Sequence, residues 1–540
     1  MRRAALLAAL LALALAPAAQ AQTAGTTVRP AGALVEPERY DAPPAGRELS
    51  ARQAIAIATA VPRIRAEVGE HPKAYARAYL AQRGRWQLSW FLPPARGESR
   101  REEIAQVLVR DRDRRVLEAW TGPQVEWPMA RGYPGQFGRS VNAPWVWIGL
   151  CVLFVLPFAR PPLRLLHLDL AVLLAFSVSY AFFGAAELGV SVPSAYPLLG
   201  YLLVRMVIVA RRPPAPPLRL LTGPGFLLLA GAFLLAFRIA LNVVDGNVID
   251  VGYASVIGAD RLAGGDPLYG AFPPDNEHGD TYGPAAYAAY VPFELLLPWT
   301  SGTWDALPAA HAAAVAFDLG CAGLLWLLGR RLRDGALGLL LAYLWLAFPF
   351  TLMVANSGAN DALVPLLVLG ALLAAARPAA RGALVALAGL TKIAPLALAP
   401  LFAAYRPRRL SYAIAFAAVV AVAVAPFDLS LLWDRTLGFQ QQRDSPFSVW
   451  GLYELPDSLQ LAAQLLAAAF AVAVAFLRPA TVPALAALAA AVLIALQLVA
   501  DHWFYLYVVW FAPLTWVALL AGPARSSPPA VAATPGSAPR

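Results

Sequence analysis

Four groups of ionisable residues stand where an apolar chain can least spare them. Asp245 and Asp250, with Tyr253, follow an apolar run that ends near Leu241, and Asn360 and Asp361 close another. Lys392 interrupts the run AGLTKIAPL, and Arg443, Asp444 and Trp450 occupy the loop FQQQRDSPFSVWGLYE. Carboxylates can take up a proton and cations can hold an anion, so charges kept at the ends of apolar spans mark a functional site by default. Each group alone reads equally well as a solvated loop charge or a cap, Asp361 in particular as the cap of a helix starting at Ala362. Four on one chain shift the balance towards function.

The elements that must position these groups are membrane helices. Of 540 residues, 59% are hydrophobic and only 14% charged, the composition of a polytopic α-helical membrane protein. The net charge of +10 lies in short Arg clusters between apolar runs. That is the positive-inside bias, so the partner it implies is a membrane surface with its lipids and not a nucleic acid. Cys151 and Cys321 fall inside apolar runs far apart in sequence and read as small packing residues.

Met1 to Ala21 has a basic start, an apolar core and the small-x-small site Ala19-Gln20-Ala21, the pattern of a secretory signal peptide. A Pro/Gly-rich linker over 22–47 leads to a water-soluble, extracytoplasmic α/β block, Glu48 to Gly138. In it Ser50 is expected to cap a helix through about Val61, with a second helix over Ile64 to Leu80. Strands are expected at Trp86 to Leu92, Ile104 to Val109 and Val116 to Thr121. A helix followed by GRWQLSWFLP and EEIAQVLVRDRDRRVLEAWTG resembles a PepSY-like domain, which implies a small secreted binding or scaffolding module.

Three spans are expected over 141–219 and a larger bundle over 220–521, about eleven crossings in all at the ~20 residues a bilayer needs. If the chain starts outside, every Arg cluster between spans falls inside. Asn242 to Trp299 is then an outer loop rich in Asp, aromatics, Gly and Pro, within which Ala285 to Leu297 dips into the outer leaflet without crossing. Ala383 to Tyr405 has basic clusters at both ends and Gly389, Lys392 and Pro395 in mid-run. It is expected to enter from the cytoplasm and return, with Lys392 at the break. Residues 522–540, rich in Pro, Ser and Ala, read as a disordered cytoplasmic tail.

Over Leu220 to Leu520 the succession IDVGYASVIGADRLAGGDPLYG, TYGPAAYAAYVPFELL, GANDALVPLLVLGALLAA and ALAGLTKIAPLALAPL resembles the integral-membrane glycosyltransferases of the GT-C superfamily. Within it the chain is most similar to family 87, the polyprenol-phosphate-mannose-dependent mannosyltransferases. The resemblance implies a GT-C-like bundle that transfers mannose or another hexose, with inversion, from a polyprenyl-phosphate sugar to an envelope glycan, glycolipid or protein. It implies Asp250 as general base, with Asp245 second, and Lys392 and Arg443 on the donor phosphate. Tyr253, Tyr282, Asn360, Asp361, Trp450 and His502 are the implied substrate contacts. A donor already activated as a phosphate ester calls for no cofactor. The five histidines are scattered without metal-ligand spacing, which leaves a divalent metal an open question.

Three spans ahead of the core, the secreted block, and TYGP where the family carries Tyr-Pro-Pro depart from the pattern and leave the acceptor undefined. The rival from another class is a transporter or flippase, which predicts inverted repeats and ionisable residues near the bilayer centre. The sequence has no convincing internal repeat, and its acidic residues collect at the outer ends. A non-catalytic envelope scaffold is the third reading.

Overall fold

The computed structural model describes residues 34–94, 102–132, 137–159, 164–211, 220–304, 307–405, 408–441 and 445–521. The signal peptide, the C-terminal tail and Arg443 lie outside them. The chain divides into two compact units, one of residues 22–136 with 180–191, the other of 1–21, 137–179 and 192–540.

The first unit opens with helices α1 (Ala51–Thr59) and α2 (Pro62–Glu70) and continues into an antiparallel sheet of order β1-β2-β3-β4. The strands are β1 (Tyr75–Ala81), β2 (Arg85–Phe91), β3 (Glu103–Arg110) and β4 (Val116–Thr121). Ser50 starts α1 through a capping box: its hydroxyl accepts from Gln53 N at 3.2 Å, and Gln53 Oε1 accepts from Ser50 N at 3.0 Å. The helix expected over Ile64 to Leu80 is corrected. It stops at Glu70, beside His71-Pro72, and YARAYLA forms a strand paired with β2 from Tyr75↔Phe91 to Ala81↔Arg85. Proline disfavours helix at the residue before it, which frees the following segment to pair. Ala54, Ile64, Trp86, Leu88, Trp90, Val107 and Val109 fill the core between helices and sheet.

Buried just beyond the end of β3, Asp111 accepts from Glu48 N (2.7 Å), Leu49 N (3.0 Å) and the Trp86 indole (2.8 Å). Burial alone would raise its carboxyl. The three donors and the nearby Arg47 outweigh that and hold it below the ordinary carboxylate range. A depressed folded value stabilises fully above the unfolded carboxyl pKa and is lost as pH falls through the folded one. Urea unfolding of a segment spanning 22–136, followed by Trp fluorescence, should therefore show stability falling below pH ~4. Asp111→Ala should cost about 2–3 kcal/mol at pH 7 and flatten that acid limb.

The second unit is helical. Among the described residues six helices are long and apolar enough to cross a membrane: α4 (Leu165–Gly184), α5 (Leu188–Arg211), α6 (Pro224–Asp245), α8 (Pro308–Leu332), α15 (Asp457–Leu477) and α16 (Val482–Val499). Two bent pairs raise the number to eight: α9 (Gly335–Ala347) with α10 (Pro349–Asn356), bent by 60°, and α14 (Arg409–Val424) with Leu429–Gln441, bent by 106°. This is fewer than the eleven expected. The remaining apolar runs fold as shorter helices: α3 (Pro144–Val155), α11 (Leu363–Leu373) and α17 (Val508–Leu520). Their runs are shortened by 3-10 turns such as Asn360–Ala362 and Tyr505–Tyr507, while Pro349 breaks the run through α9 and α10. Beyond α6, α7 (Asp250–Gly264) is followed by two short helices, Pro284–Ala288 and Val291–Leu296, neither long enough to span.

The bundle is centred on α16, 72% of whose apolar window is buried, against 17% for the peripheral α15. Between α6 and α8, Arg238 Nε donates to Asp318 Oδ2 at 2.9 Å, and the Trp345 indole donates to the other carboxylate oxygen at 2.8 Å. Leu346 O accepts from the same guanidinium. A charge at this depth is tolerable because it is paired and hydrogen-bonded.

Helix α12 (Pro378–Thr391) rises to Lys392, where the backbone turns extended (φ −142°, ψ 145°). The chain then returns through a 3-10 turn, Ala394–Leu398, and α13 (Ala399–Ala404). Both arms end at Arg381, whose guanidinium lies 5.6 Å from the Tyr405 ring and 5.5 Å from that of Tyr412, at the start of α14. The segment is a hairpin with Lys392 at its tip.

Candidate functional site

The hairpin tip meets the turn between α10 and α11. Lys392 Nζ donates to Asp361 Oδ1 at 2.7 Å, and the Trp510 indole donates to the same oxygen at 3.1 Å. Around the ammonium stand the rings of Tyr282 (5.3 Å), Tyr507 (5.4 Å) and Trp510 (5.4 Å). The cation thus has one carboxylate and three aromatic faces as partners. Asp361 is fully buried and Lys392 only 9% exposed. Two facts follow for the sequence reading. Asp361 is not a helix cap, since α11 starts without a side-chain cap bond. And Lys392, implied as a ligand of the donor phosphate, is paired with a buried carboxylate.

Each member is held by its own element. Gly358 takes φ +62°, a left-handed conformation that turns the chain out of α10 and into the 3-10 turn carrying Asn360 and Asp361. Asn360 Nδ2 donates to Ser255 Oγ at 3.2 Å, so α7 backs this turn. Tyr282 reaches Lys392 because Gly283 packs directly on the carbonyl of Leu390, where a Cβ would stand 2.0 Å from the oxygen. This is the Gly of TYGP, the position at which the chain departs from Tyr-Pro-Pro. Two buried acceptors, Asp361 Oδ2 and Asn360 Oδ1, have no hydrogen-bond partner among the described residues. Leaving such atoms unpaired costs about 1–3 kcal/mol each.

Asp250 lies on the exposed side of the same locus. The segment leading to it pairs with the end of α10, Asn247 N donating to Asn356 O and Ile249 N to Ser357 O, both at 2.9 Å. Asp250 then opens α7 as its first residue, exposed, with its carbonyl accepting from Asn276 Nδ2 at 3.1 Å. The backbone pairing brings it within a few residues of the turn that carries Asp361.

The other implied residues divide. Tyr253 is fully buried, stacked on Trp304 at 5.1 Å, with its hydroxyl on Asp275 Oδ2 at 3.3 Å. Burial, and then Asp275, push that phenol well above its ordinary range. His502 shares a hydrogen bond with Ser445 Oγ (2.9 Å) and lies 6.3 Å, ring to ring, from Tyr507, next to the wall of the Lys392 box. The Trp450 indole donates to Leu498 O at 3.0 Å. Asp245 ends α6 with its carboxylate on Ser140 N (2.6 Å) and its carbonyl on Asn356 Nδ2 (3.1 Å). Asp245→Ala should lower thermal stability by about 1–3 kcal/mol while costing less activity than any change at Asp250; differential scanning fluorimetry beside a rate assay checks both.

Sequence reasoning missed Trp510, Ser255 and Arg435. Trp510 sits in an unbroken apolar run and Ser255 in a helical one, so neither carries a signal. Arg435 belongs to the bent segment after α14; its Nε lies 3.5 Å from the buried Asp280, which also accepts from Gly270 N at 2.7 Å. Asp280 is two residues before Tyr282, so this partly exposed guanidinium flanks the aromatic box. Among the described residues no three His, Cys, Asp or Glu side chains converge on a metal-sized site.

Compared with protein-family models and with curated protein sequences, the chain matches none.

Proposed function

We propose that this is an integral-membrane hexosyltransferase of the GT-C kind, moving mannose or a related hexose from a polyprenyl-phosphate donor to an extracytoplasmic envelope acceptor. One observation carries the reading. An exposed carboxylate, Asp250, is zipped by backbone pairing against the turn that holds a buried Asp361–Lys392 pair inside an aromatic box, in a bundle of membrane-length helices. The proposed orientation puts this end of the bundle outside the plasma membrane, a reading supported by the short Arg clusters between apolar runs.

The chemistry asks little of the protein beyond positioning. The acceptor hydroxyl gives its proton to Asp250 as its oxygen attacks the anomeric carbon opposite the phosphate. The bond from that carbon to the phosphate oxygen breaks, its electron pair leaving on the polyprenyl phosphate, and the configuration inverts without a covalent enzyme intermediate. Arg435, partly exposed and ion-paired with Asp280 at 3.5 Å, is the cation for the departing phosphate and meets it by exchanging that partner. Lys392 is neutralised by Asp361 and can reach a phosphate only by exchanging partners. Tyr282, Tyr507 and Trp510 offer faces for a sugar ring, and the unpartnered Asp361 Oδ2 and Asn360 Oδ1 are acceptors that sugar hydroxyls would satisfy. The N-terminal unit is assigned the recruitment or orientation of the acceptor.

Comparative glycan and lipid profiling of cells with and without the protein tests the reading. The expected result is an envelope glycan, glycolipid or glycoprotein shortened by one hexose, with its polyprenyl-phosphate donor accumulating. Identical profiles would set the reading aside.

A further inference from the structure

At the far end of α11 from Asp361 lies a cleft of about 530 Å³ between the last turns of α8 and α11. Three arginines line it, Arg330 and Arg331 from α8 and Arg377 from just beyond α11, and its remaining lining is apolar, Leu327, Gly370, Leu373 and Ala374. No carboxylate is among them. All three arginines are exposed. Two are held in place: Arg331 donates to Leu373 O at 2.6 Å, and the Arg330 guanidinium lies 4.5 Å from the Trp326 ring. Leu327 is 41% and Trp326 39% exposed beside it, so the outer wall is apolar.

We propose that this cleft binds the phosphate headgroup of an anionic phospholipid. A cluster of three cations without a counter-charge in the cleft calls for an anion, and arginine recognises phosphate oxygens with its planar fork of donors. The apolar lining decides between sources. A soluble phosphate gains nothing from Leu327, Leu373 and Ala374, whereas a phospholipid sets its headgroup on the arginines and its glycerol and acyl carbons on that wall. Basic pockets between transmembrane helices are known to take such headgroups, each Arg near a membrane surface contributing roughly a fivefold gain. The site stands at the opposite end of α11 from the Lys392 box, so it is independent of the glycosyl-transfer reading.

The test is native mass spectrometry of the full chain in detergent, titrated with phosphatidylglycerol, cardiolipin or phosphatidylcholine, and separately with glycerol phosphate. The anionic lipids should bind more tightly than phosphatidylcholine, and the triple change R330Q/R331Q/R377Q should weaken them by roughly 10²-fold. A control of equal charge in the N-terminal unit, R112Q/R114Q/R115Q, should leave binding unchanged, and an all-Lys triple at the cleft should keep most of it. Equal binding of anionic and zwitterionic lipids, equal losses in both Gln triples, or glycerol phosphate binding as tightly as the lipids would each overturn the proposal. A cleft triple that no longer folds is replaced by the three single Gln variants, which should each lose about fivefold; unchanged binding in all three would overturn it as well.

Discussion

Asp250→Asn is expected to lower sugar transfer by about 10²- to 10⁴-fold while leaving donor affinity and thermal stability near those of the unaltered protein. The size follows from what positioned proton acceptance contributes. The selectivity follows from place: Asp250 is exposed at the first turn of α7, and the tie to Asn276 uses its backbone carbonyl, which an Asn side chain leaves intact. Asn keeps the shape and loses the basicity, so kcat should fall and the donor dissociation constant should not move. Single-turnover transfer and donor binding, measured on the same preparation, separate these two quantities. A collapse of rate in Asp245→Asn with Asp250→Asn unaffected would move the base to Asp245, against its observed engagement with Ser140.

Lys392→Met is expected to destabilise the bundle by about 3–5 kcal/mol, because it leaves the fully buried Asp361 carboxylate with the Trp510 indole as its one remaining donor among those described. Asp361→Asn should cost a comparable amount by stranding the ammonium among three rings. The double change Asp361→Asn with Lys392→Met removes both charges, and it should recover most of the loss, since an uncharged pair has no desolvation to offset. Thermal unfolding in detergent of the two single variants and the double one makes a cycle whose coupling energy should be large. If the ammonium serves a phosphate as well as Asp361, Lys392→Arg should preserve donor binding better than Lys392→Met. Additive losses in the cycle would mean that the pair contributes no coupling.

Much of this site was legible before any coordinates, for reasons tied to particular residues. A lysine flanked by Gly389 and Pro395 in an apolar run, between basic clusters, announces a broken helix, and the break falls at Lys392. The polar stretch SGAND stands out in the same way, and the long acidic loop after α6 does too. Their meeting was not legible. It depends on a hairpin tip returning to the level of a turn 31 residues earlier, and neither periodicity nor charge encodes that distance. Trp510 is invisible because an indole in an apolar run looks like packing, and Tyr253 misleads because an aromatic beside an acidic loop looks like a contact. β1 was missed because YARAYLA suits a helix as well as a strand until pairing with β2 decides it. The count of crossings was overestimated because hydropathy registers apolar length and is blind to the 3-10 turns and bends that shorten or fold those runs. Asp245 and Asp250 look equivalent in sequence. Only the folded chain separates Asp245, whose carboxylate accepts from Ser140 N, from Asp250, exposed at the first turn of α7.

Transfer of a sugar from a polyprenyl phosphate at this site is open to direct measurement. Its most direct test is the purified full-length protein in liposomes with a radiolabelled polyprenyl-phosphate hexose and an envelope extract as the source of acceptors. Label should move from the donor into an envelope product with inversion of the donor's anomeric configuration, at a rate at least about 10²-fold lower in Asp250→Asn. Transfer at equal rates in the two proteins, or no movement of label from any polyprenyl-phosphate hexose, would contradict it.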